Sequence, residues 1–441
     1  MSLRCSNKLV MCRRQLKVKK TMRIALMTNN YKPFMGGVPI SIERLAEGLR
    51  ELGHSVTVFA PTYQEQQEEE NVFRYATCMK RFIGGVVLPN PLDYRIEREF
   101  KEKDFDIIHV HHPMLIGRTA VYLSKKYNIP LVFTYHTRYE QYLSYVKGIN
   151  IMERWAAEKT GATADLSAGC LHLIKDKFMP AYLNTFLRHC DFVFAPTAGM
   201  EQYLAEVCRV SKDRLGVLPT GLQRHHFQVS KQEADELRTR YNAEEKTLFL
   251  TVSRMSHEKN VIFLLESLSA LKHDHGKDFV MLFVGDGPDR DYYERLAEKF
   301  GLSENTFFTG AVPNSEIAPY FRAADAFLFA SKTETQGIVV LEAFAGGTPV
   351  LAVEASGVSD LVKSGYNGIL TPEEQGTYTA MLDNFIDGMP DRTLLEDNAA
   401  RSAKEYREEA VALRASHYYN RIVAEHAAHK SQSKGLLLGM R

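Results

Sequence analysis

Cysteine is sparse and scattered. The 441 residues hold six, at Cys5, Cys12, Cys78, Cys170, Cys190 and Cys208, with no Cys-x-x-Cys spacing. That argues against a disulfide framework and a thiolate metal site, and fits reduced thiols in a cytoplasmic protein. Tryptophan occurs once, at Trp155. Neither charge is in excess: 55 Lys and Arg face 54 Asp and Glu, a net of +1. Nothing global therefore points to nucleic acid. No apolar run reaches about 18 residues, so no transmembrane helix is expected. A G-x-G-x-x-G fingerprint is missing, which removes a dinucleotide-dependent oxidoreductase. No Asp-x-Asp pair stands in a place suited to a metal, and no internal repeat divides the chain.

What is present is an alternation of strand and helix long enough for two domains. Residues 1–21 carry Arg4, Lys8, Arg13, Arg14, Lys17, Lys19 and Lys20 and no acidic residue. They read as a basic leader, disordered ahead of Met22, with an arm drawn to anionic lipid as the alternative. The first domain is placed at 22–220. M-R-I-A-L-M-T (22–28) is a buried strand, and the shared face of Ile42, Leu45, Ala46, Leu49 and Leu52 predicts a helix over 40–52. In the loop between them Gly36 and Gly37 permit a close backbone approach to a ligand.

Strands over 105–111 and 130–135 run into His111-His112-Pro113 and Tyr135-His136-Thr137. Open α/β sheets bind ligands beyond the carboxyl ends of their strands. His111, His112, Tyr135 and His136 are therefore read as a site rather than as core filler. No carboxylate or cysteine nearby in sequence completes a zinc site. The apolar face over 171–187 lies beside Lys175, Lys177 and Arg188. It is either a helix packed on its own domain or a basic helix lying on a membrane, and Pro180 is expected to kink or split it.

The second domain is placed at 221–405. Its strand Leu248 to Val252 runs into S-R-M-S-H-E-K-N, where Arg254 and Lys259 could balance a diphosphate. The strand over 280–284 ends in the tight turn Gly285-Asp286-Gly287-Pro288, and Gly310 leads into Ala311-Val312-Pro313. The stretch from Ala323 to Val353 organises the rest. It reads as strand, polar loop, short helix from Gly337 and second strand. Glu334 lies in the loop, and Glu342 lies in the helix with its side chain tilted back toward the helix start. Between them, Gly337 and Ile338 expose free backbone N–H groups suited to a phosphate. Two carboxylates able to hold sugar hydroxyls thus flank an anion site, which suits a nucleotide sugar. Residues 406–441 form a closing helix with a frayed tail; the helical composition itself begins at Arg401.

With E-T-Q-G, V-V-L-E-A and G-G-T-P-V-L-A around it, this Glu-x7-Glu block resembles the family-4 retaining glycosyltransferases of the GT-B fold. H-x-H-H-P and Y-H-T-R-Y-E-Q-Y resemble members acting on diacylglycerol and related lipids. The resemblance implies an α/β fold of two Rossmann-like, doubly wound domains facing a central cleft, with the closing helix crossing back to the first. It implies that Arg254 and Lys259 bind the donor diphosphate, Glu334 orients the sugar, Glu342 holds the ribose, and His136 is the active-site histidine. Gly36, Gly37, Gly285, Val312, Thr335, Gln336, Gly337 and Ile338 complete the donor site, and His111, His112 and Tyr135 border the acceptor. The expected donor is UDP-glucose or a related UDP-sugar, and the expected acceptor is diacylglycerol. The expected place is an anionic membrane surface on the cytoplasmic side. No metal or other cofactor is required, since the two cations supply the positive charge. A small soluble acceptor and a non-catalytic partner or sensor subunit are the competing readings; the complete set Arg254, Lys259, Glu334 and Glu342 argues against the second.

Overall fold

The computed structural model describes residues 21–34, 36–80, 87–138, 177–331 and 334–438, with side chains to 430. The chain opens with β1 (Arg23–Met27), α1 (Gly37–Glu51) and β2 (Ser55–Pro61). Helix α1 buries Ile42, Leu45, Ala46 and Leu49, but Leu52 falls just beyond it and is 38% exposed. Next come β3 (Val72–Tyr75), the antiparallel pair β4 (Thr77–Met79) and β5 (Leu88–Pro89), and α2 (Tyr94–Lys103), capped by the Asp93 carboxylate. Then follow β6 (Ile107–Val110), α3 (Ile116–Tyr127), β7 (Leu131–Thr134), α4 (Met179–His189), β8 (Phe192–Ala195), α5 (Ala198–Glu206) and β9 (Leu215–Val217).

These strands form a parallel sheet in the order β3-β2-β1-β6-β7-β8-β9. The order reverses between β1 and β6, which opens a crevice beyond their carboxyl ends. Alternate residues feed cores on opposite faces: Ala25 and Met27 on one, Ile24 and Leu26 on the other. A sheet covered on both faces needs apolar residues at nearly every position, which is why its strands read as continuous runs.

The second half repeats the plan with α6 (Lys231–Arg240), β10 (Thr247–Val252), α7 (Val261–His273), β11 (Phe279–Val284), α8 (Arg290–Lys299) and β12 (Thr306–Gly310). It continues through α9 (Ala318–Ala323), β13 (Ala326–Phe329), α10 (Ile338–Ala345), β14 (Val350–Val353), β15 (Gly368–Thr371), α11 (Gln375–Ile386) and α12 (Arg392–Ala403). Its parallel sheet has the order β12-β11-β10-β13-β14-β15, with the switch between β10 and β13.

The last helix, α13 (Glu408–Leu438), returns to the first sheet. Its Val411, Ala412, Ala415, Tyr419 and Ile422 share a core with Ile24, Leu45 and Leu49. Two polar contacts fix its register: His54 Nε2 lies 2.8 Å from Ser416 Oγ, and His109 Nδ1 lies 2.6 Å from the Tyr419 hydroxyl.

One expectation needs correction, and two others meet the described residues only in part. The helical composition from Arg401 is not one helix. It breaks after α12 because the chain crosses between the sheets there, and Leu222 pairs with it: Leu222 N–H donates to Tyr406 O (2.7 Å) and Glu408 N–H to Leu222 O (3.0 Å). Pro180 stands in the first turn of α4, with Lys177 and Phe178 before it in a π-helical turn, and the rest of the stretch in which a kink was expected lies outside the described residues. In the described part of the 171–187 stretch Met179, Leu183, Phe186 and Leu187 are buried, as for a helix packed on its own domain. Residues 171–176, Trp155 and residues 1–20 of the leader lie outside the described residues. Among the described residues no helix is long and apolar enough to cross a membrane.

The Tyr419–His109 contact yields a direct test. Both side chains are fully buried, and the other His109 nitrogen already meets Thr134 Oγ1 at 2.7 Å. Tyr419→Phe strips one buried ring nitrogen of its partner and is expected to destabilise the protein by about 1–3 kcal/mol. Urea unfolding would report it as a lower midpoint with an unchanged slope; an unchanged midpoint would mean this contact does not hold the closing helix.

Candidate functional site

The carboxyl ends of β10 and β13 face those of β6 and β7 across the cleft. At the end of β10, Arg254 is exposed and Lys259 is half-buried. Lys259 Nζ bonds Glu334 Oε1, which also accepts from Ser331 Oγ at 3.1 Å. The two residues assigned to different parts of a donor thus hold each other. A cation and a carboxylate left facing a cleft would pair in this way.

The turn after β11 lies directly against this segment. Met255 N–H donates to Asp286 O (3.0 Å), and Gly285 N–H donates to Gly310 O (2.9 Å). Gly285 has φ +132, and a Cβ there would lie 1.9 Å from Ser253 O, so only glycine fits. Val312, beyond β12, is half-buried against the second core.

Gly337 adopts φ +73, the left-handed turn that starts α10, so the helix N-terminus points into the cleft. Gly37, at the start of α1, lies close by: a Cβ on it would meet Ile338 Cδ1 at 3.6 Å. Gly36 and Gly37 are thereby brought to the mouth of α10. The loop before α10 also grips the first domain. The Thr335 hydroxyl donates to the carbonyl of His136 (2.6 Å), and Gln336 Oε1 accepts from Thr220 N–H (2.9 Å).

Gln336 thus turns toward the first domain. Its amide is buried and engaged with the backbone of the crossing segment, whose polar groups need partners away from water. Glu342 faces the first domain as well. It lies in α10 as expected, but it is 5% exposed and bound across the domains. Arg44 of α1 donates Nη2–H to Glu342 Oε1 at 2.7 Å, and His226 Nε2 lies 3.3 Å from the same oxygen. Burial alone would raise the Glu342 pKa. His226 and Arg44 outweigh it and hold the carboxyl down at about 2.

On the first domain, His111 Nδ1 lies 2.8 Å from His136 Nε2 with the rings stacked, and His109 stacks beneath His111. His112 Nδ1 accepts from Asn29 N–H at 3.2 Å, which places its proton on Nε2 and ties it to the loop after β1. Tyr135 does not join them. Its side chain is fully buried in the core beside Phe133, because strand alternation turns it inward. His136 and His112 are partly exposed, whereas His111 and Tyr135 are buried.

Four residues that build this arrangement were not named as site residues from the sequence: Arg44, Thr220, His226 and Asp360. Asp360 accepts from Gly199 N–H at the start of α5, another contact between domains. Arg44 did carry a signal, a charge at a buried phase of an amphipathic helix. Thr220 lies in P-T-G-L, which resembles the family's entry to the second domain, and Asp360 in G-V-S-D-L-V, which the same resemblance places over the nucleotide, so their segments were marked though the residues were not; His226 carries no signal that spacing could reveal.

Burial is the chief cause that lowers the pKa of all four histidines: His112 to about 4, His136 to about 3, and His109 and His111 well down. They fold neutral, whereas the unfolded chain binds their protons from the ordinary value of 6.5 downward. Their contribution to stability is therefore complete above pH 6.5 and lost as pH falls toward 4 and 3. The loss is roughly 1.4 kcal/mol per pH unit for each histidine inside its window. Urea midpoints at pH 7.5, 6.5, 5.5 and 4.5 should be flat between the first two and fall steeply after. A flat course to pH 4.5 would contradict neutral burial.

Residues 35–226 match the family model Glycosyltransferase Family 4, and residues 233–403 match Glycosyl transferases group 1. Relatives include the alpha-monoglucosyldiacylglycerol synthases of Streptococcus pneumoniae and Acholeplasma laidlawii. The first is 29% identical, over 87% of this chain and 83% of that protein. The second is 26% identical, over 89% and 95%. The crystal structure of Anabaena Alr3699/HepE in complex with UDP and glucose superposes with a TM-score of 0.65 at 18% identity, covering 90% of this chain and 99% of that one. With paired parallel sheets facing one cleft, and a family model on each, this chain belongs to the GT-B glycosyltransferases, a family 4 domain followed by a group 1 domain.

Proposed function

We infer that this glycosyltransferase moves a hexose, first of all glucose, from a UDP-sugar to diacylglycerol at a membrane surface, with retention of anomeric configuration. The observation that carries the donor side is the Lys259–Glu334 pair in front of the α10 N-terminus. A diphosphate entering there meets Lys259, the exposed Arg254 and the backbone N–H groups at Gly337 and Ile338. Together they stabilise the charge that develops as the sugar–phosphate bond breaks. Glu334, released from Lys259, accepts hydrogen bonds from sugar hydroxyls, and Glu342 takes the ribose. Gly285 and Val312 border the base, and Gly36 and Gly37 close over the diphosphate.

His136 faces the same space from the first domain, which Thr335 holds against the donor loop. With its pKa held low it is neutral near pH 7, so it can accept or relay the acceptor proton without competing for the diphosphate as a charge. His111 and His112 line the acceptor side behind it. The lipid acceptor rests on the names of the two relatives. A soluble hydroxyl compound remains the alternative acceptor within the same chemistry.

The purified chain, given UDP-glucose and diacylglycerol vesicles with and without anionic lipid, is expected to release UDP only when vesicles are present, and faster with anionic lipid. Release independent of vesicles would replace the lipid with water or a soluble acceptor. No release with UDP-glucose, UDP-galactose or GDP-mannose would sink the enzymatic reading. Lys259→Ala should lower kcat at least about 10-fold, as loss of one stabiliser of transition-state charge does; near-normal turnover would remove Lys259 from the reaction.

A further inference from the structure

Glu342 and Arg44 lie on different domains, 298 residues apart in sequence, and both are nearly sealed from solvent. Removing an ion pair from water is expensive, and well-packed apolar residues often serve stability as well or better. Arg44 is not arranged for stability alone either. Its Nη1 donates to Gly221 O (3.0 Å) and its Nη2 to Glu342, but Nε is buried with no partner. His226 follows closely after Gly221 in the crossing segment, with its side chain fully buried. Both contacts converge on Oε1, which among the described residues leaves Oε2 to a ligand.

We propose that Arg44 and His226 are positioning residues for ribose recognition: they fix the ionised Glu342 carboxylate from the opposite domain and the crossing, so that its second oxygen meets a nucleotide diol. The inference rests on the assignment of Glu342 to the ribose. It adds that this subsite is completed by α1 of the first domain, so the affinity for a ribonucleotide depends on how the two domains sit. A carboxylate held by a guanidinium and an imidazole loses little on accepting a hydroxyl, because its charge and rotamer are already set. Without them it would either turn away or take up a proton.

The test is calorimetric titration of the full chain with UDP and 2′-deoxy-UDP, and with GDP and 2′-deoxy-GDP. The wild type is expected to bind the ribo form of its preferred base about 10-fold tighter than the deoxy form, as for a hydrogen bond to a charged group. Arg44→Gln and His226→Gln should each reduce that ratio to about 2-fold by weakening the ribo form alone, and Arg44→Lys should restore part of it. A purely structural role would weaken both forms equally and leave the ratio unchanged, which overturns the proposal. Equal binding of ribo and deoxy forms by the wild type, or binding of none of the four, would instead overturn the donor assignment beneath it. Should Arg44→Gln fail to fold with its unpaired carboxylate, His226→Gln retains the ion pair and gives the same readout. The neutral pair Arg44→Met with Glu342→Gln, which buries no charge, should show no ribose preference at all.

Discussion

The two sheets are joined by two backbone segments that run side by side, and the site depends on that crossing. Leu222 exchanges hydrogen bonds with Tyr406 and Glu408, so the outgoing and returning chains form one short ribbon. Gly221 lies against Glu408 so closely that a Cβ would meet its Cα at 2.8 Å. The polar groups of this ribbon cannot all pair with each other. Thr220 turns to Gln336, and Gly221 turns to Arg44. The needs of a buried backbone thus draw the donor loop and helix α1 to the same place.

Charge in the cleft follows from the same geometry. Helix α10 starts at the cleft and places its positive end there. Lys259 and Arg254 add cations at the end of β10, and Glu334 and Glu342 stand on either side of the helix start. Glu342 is neutralised permanently by the opposite domain, whereas Glu334 is neutralised by Lys259, a residue of its own domain. The first arrangement resembles a fixed part and the second an exchangeable one. The Lys259–Glu334 pair lies within one domain, so its exchange would leave the domain contact at Arg44 intact.

Much of this was legible in the residues. The apolar strand runs, the glycine turns and the Glu-x7-Glu block each encode a local constraint: a sheet buried on both faces, a backbone with φ above zero, a helix start beside two carboxylates. Such constraints act within a few residues, and spacing reveals them. The surroundings of Gln336 and Tyr135 were not legible, for a different reason. Gln336 has a polar partner 116 residues away, and Tyr135 differs from His136 only in which way the strand turns it. Arg44 and His226 acquire meaning only once the domains are docked. Asp93, capping α2 with its carboxylate, belongs to a polar stretch whose helix has too few apolar residues to announce itself.

The contacts between domains are concentrated where a donor would bind. Thr335 reaches His136, Gln336 reaches Thr220 and Glu342 reaches Arg44, all from the start of α10 and the loop before it. Asp360, on the neighbouring turn, reaches Gly199. A ligand that occupies this stretch interacts differently with docked and separated domains, and so must shift the balance between them by its differential affinity. The reverse holds by linkage: whatever favours the docked arrangement strengthens the ligand by the same factor. An acceptor that rests against His136 from the first domain and a nucleotide held by the second would thus each favour binding of the other, through the few side chains that span the cleft.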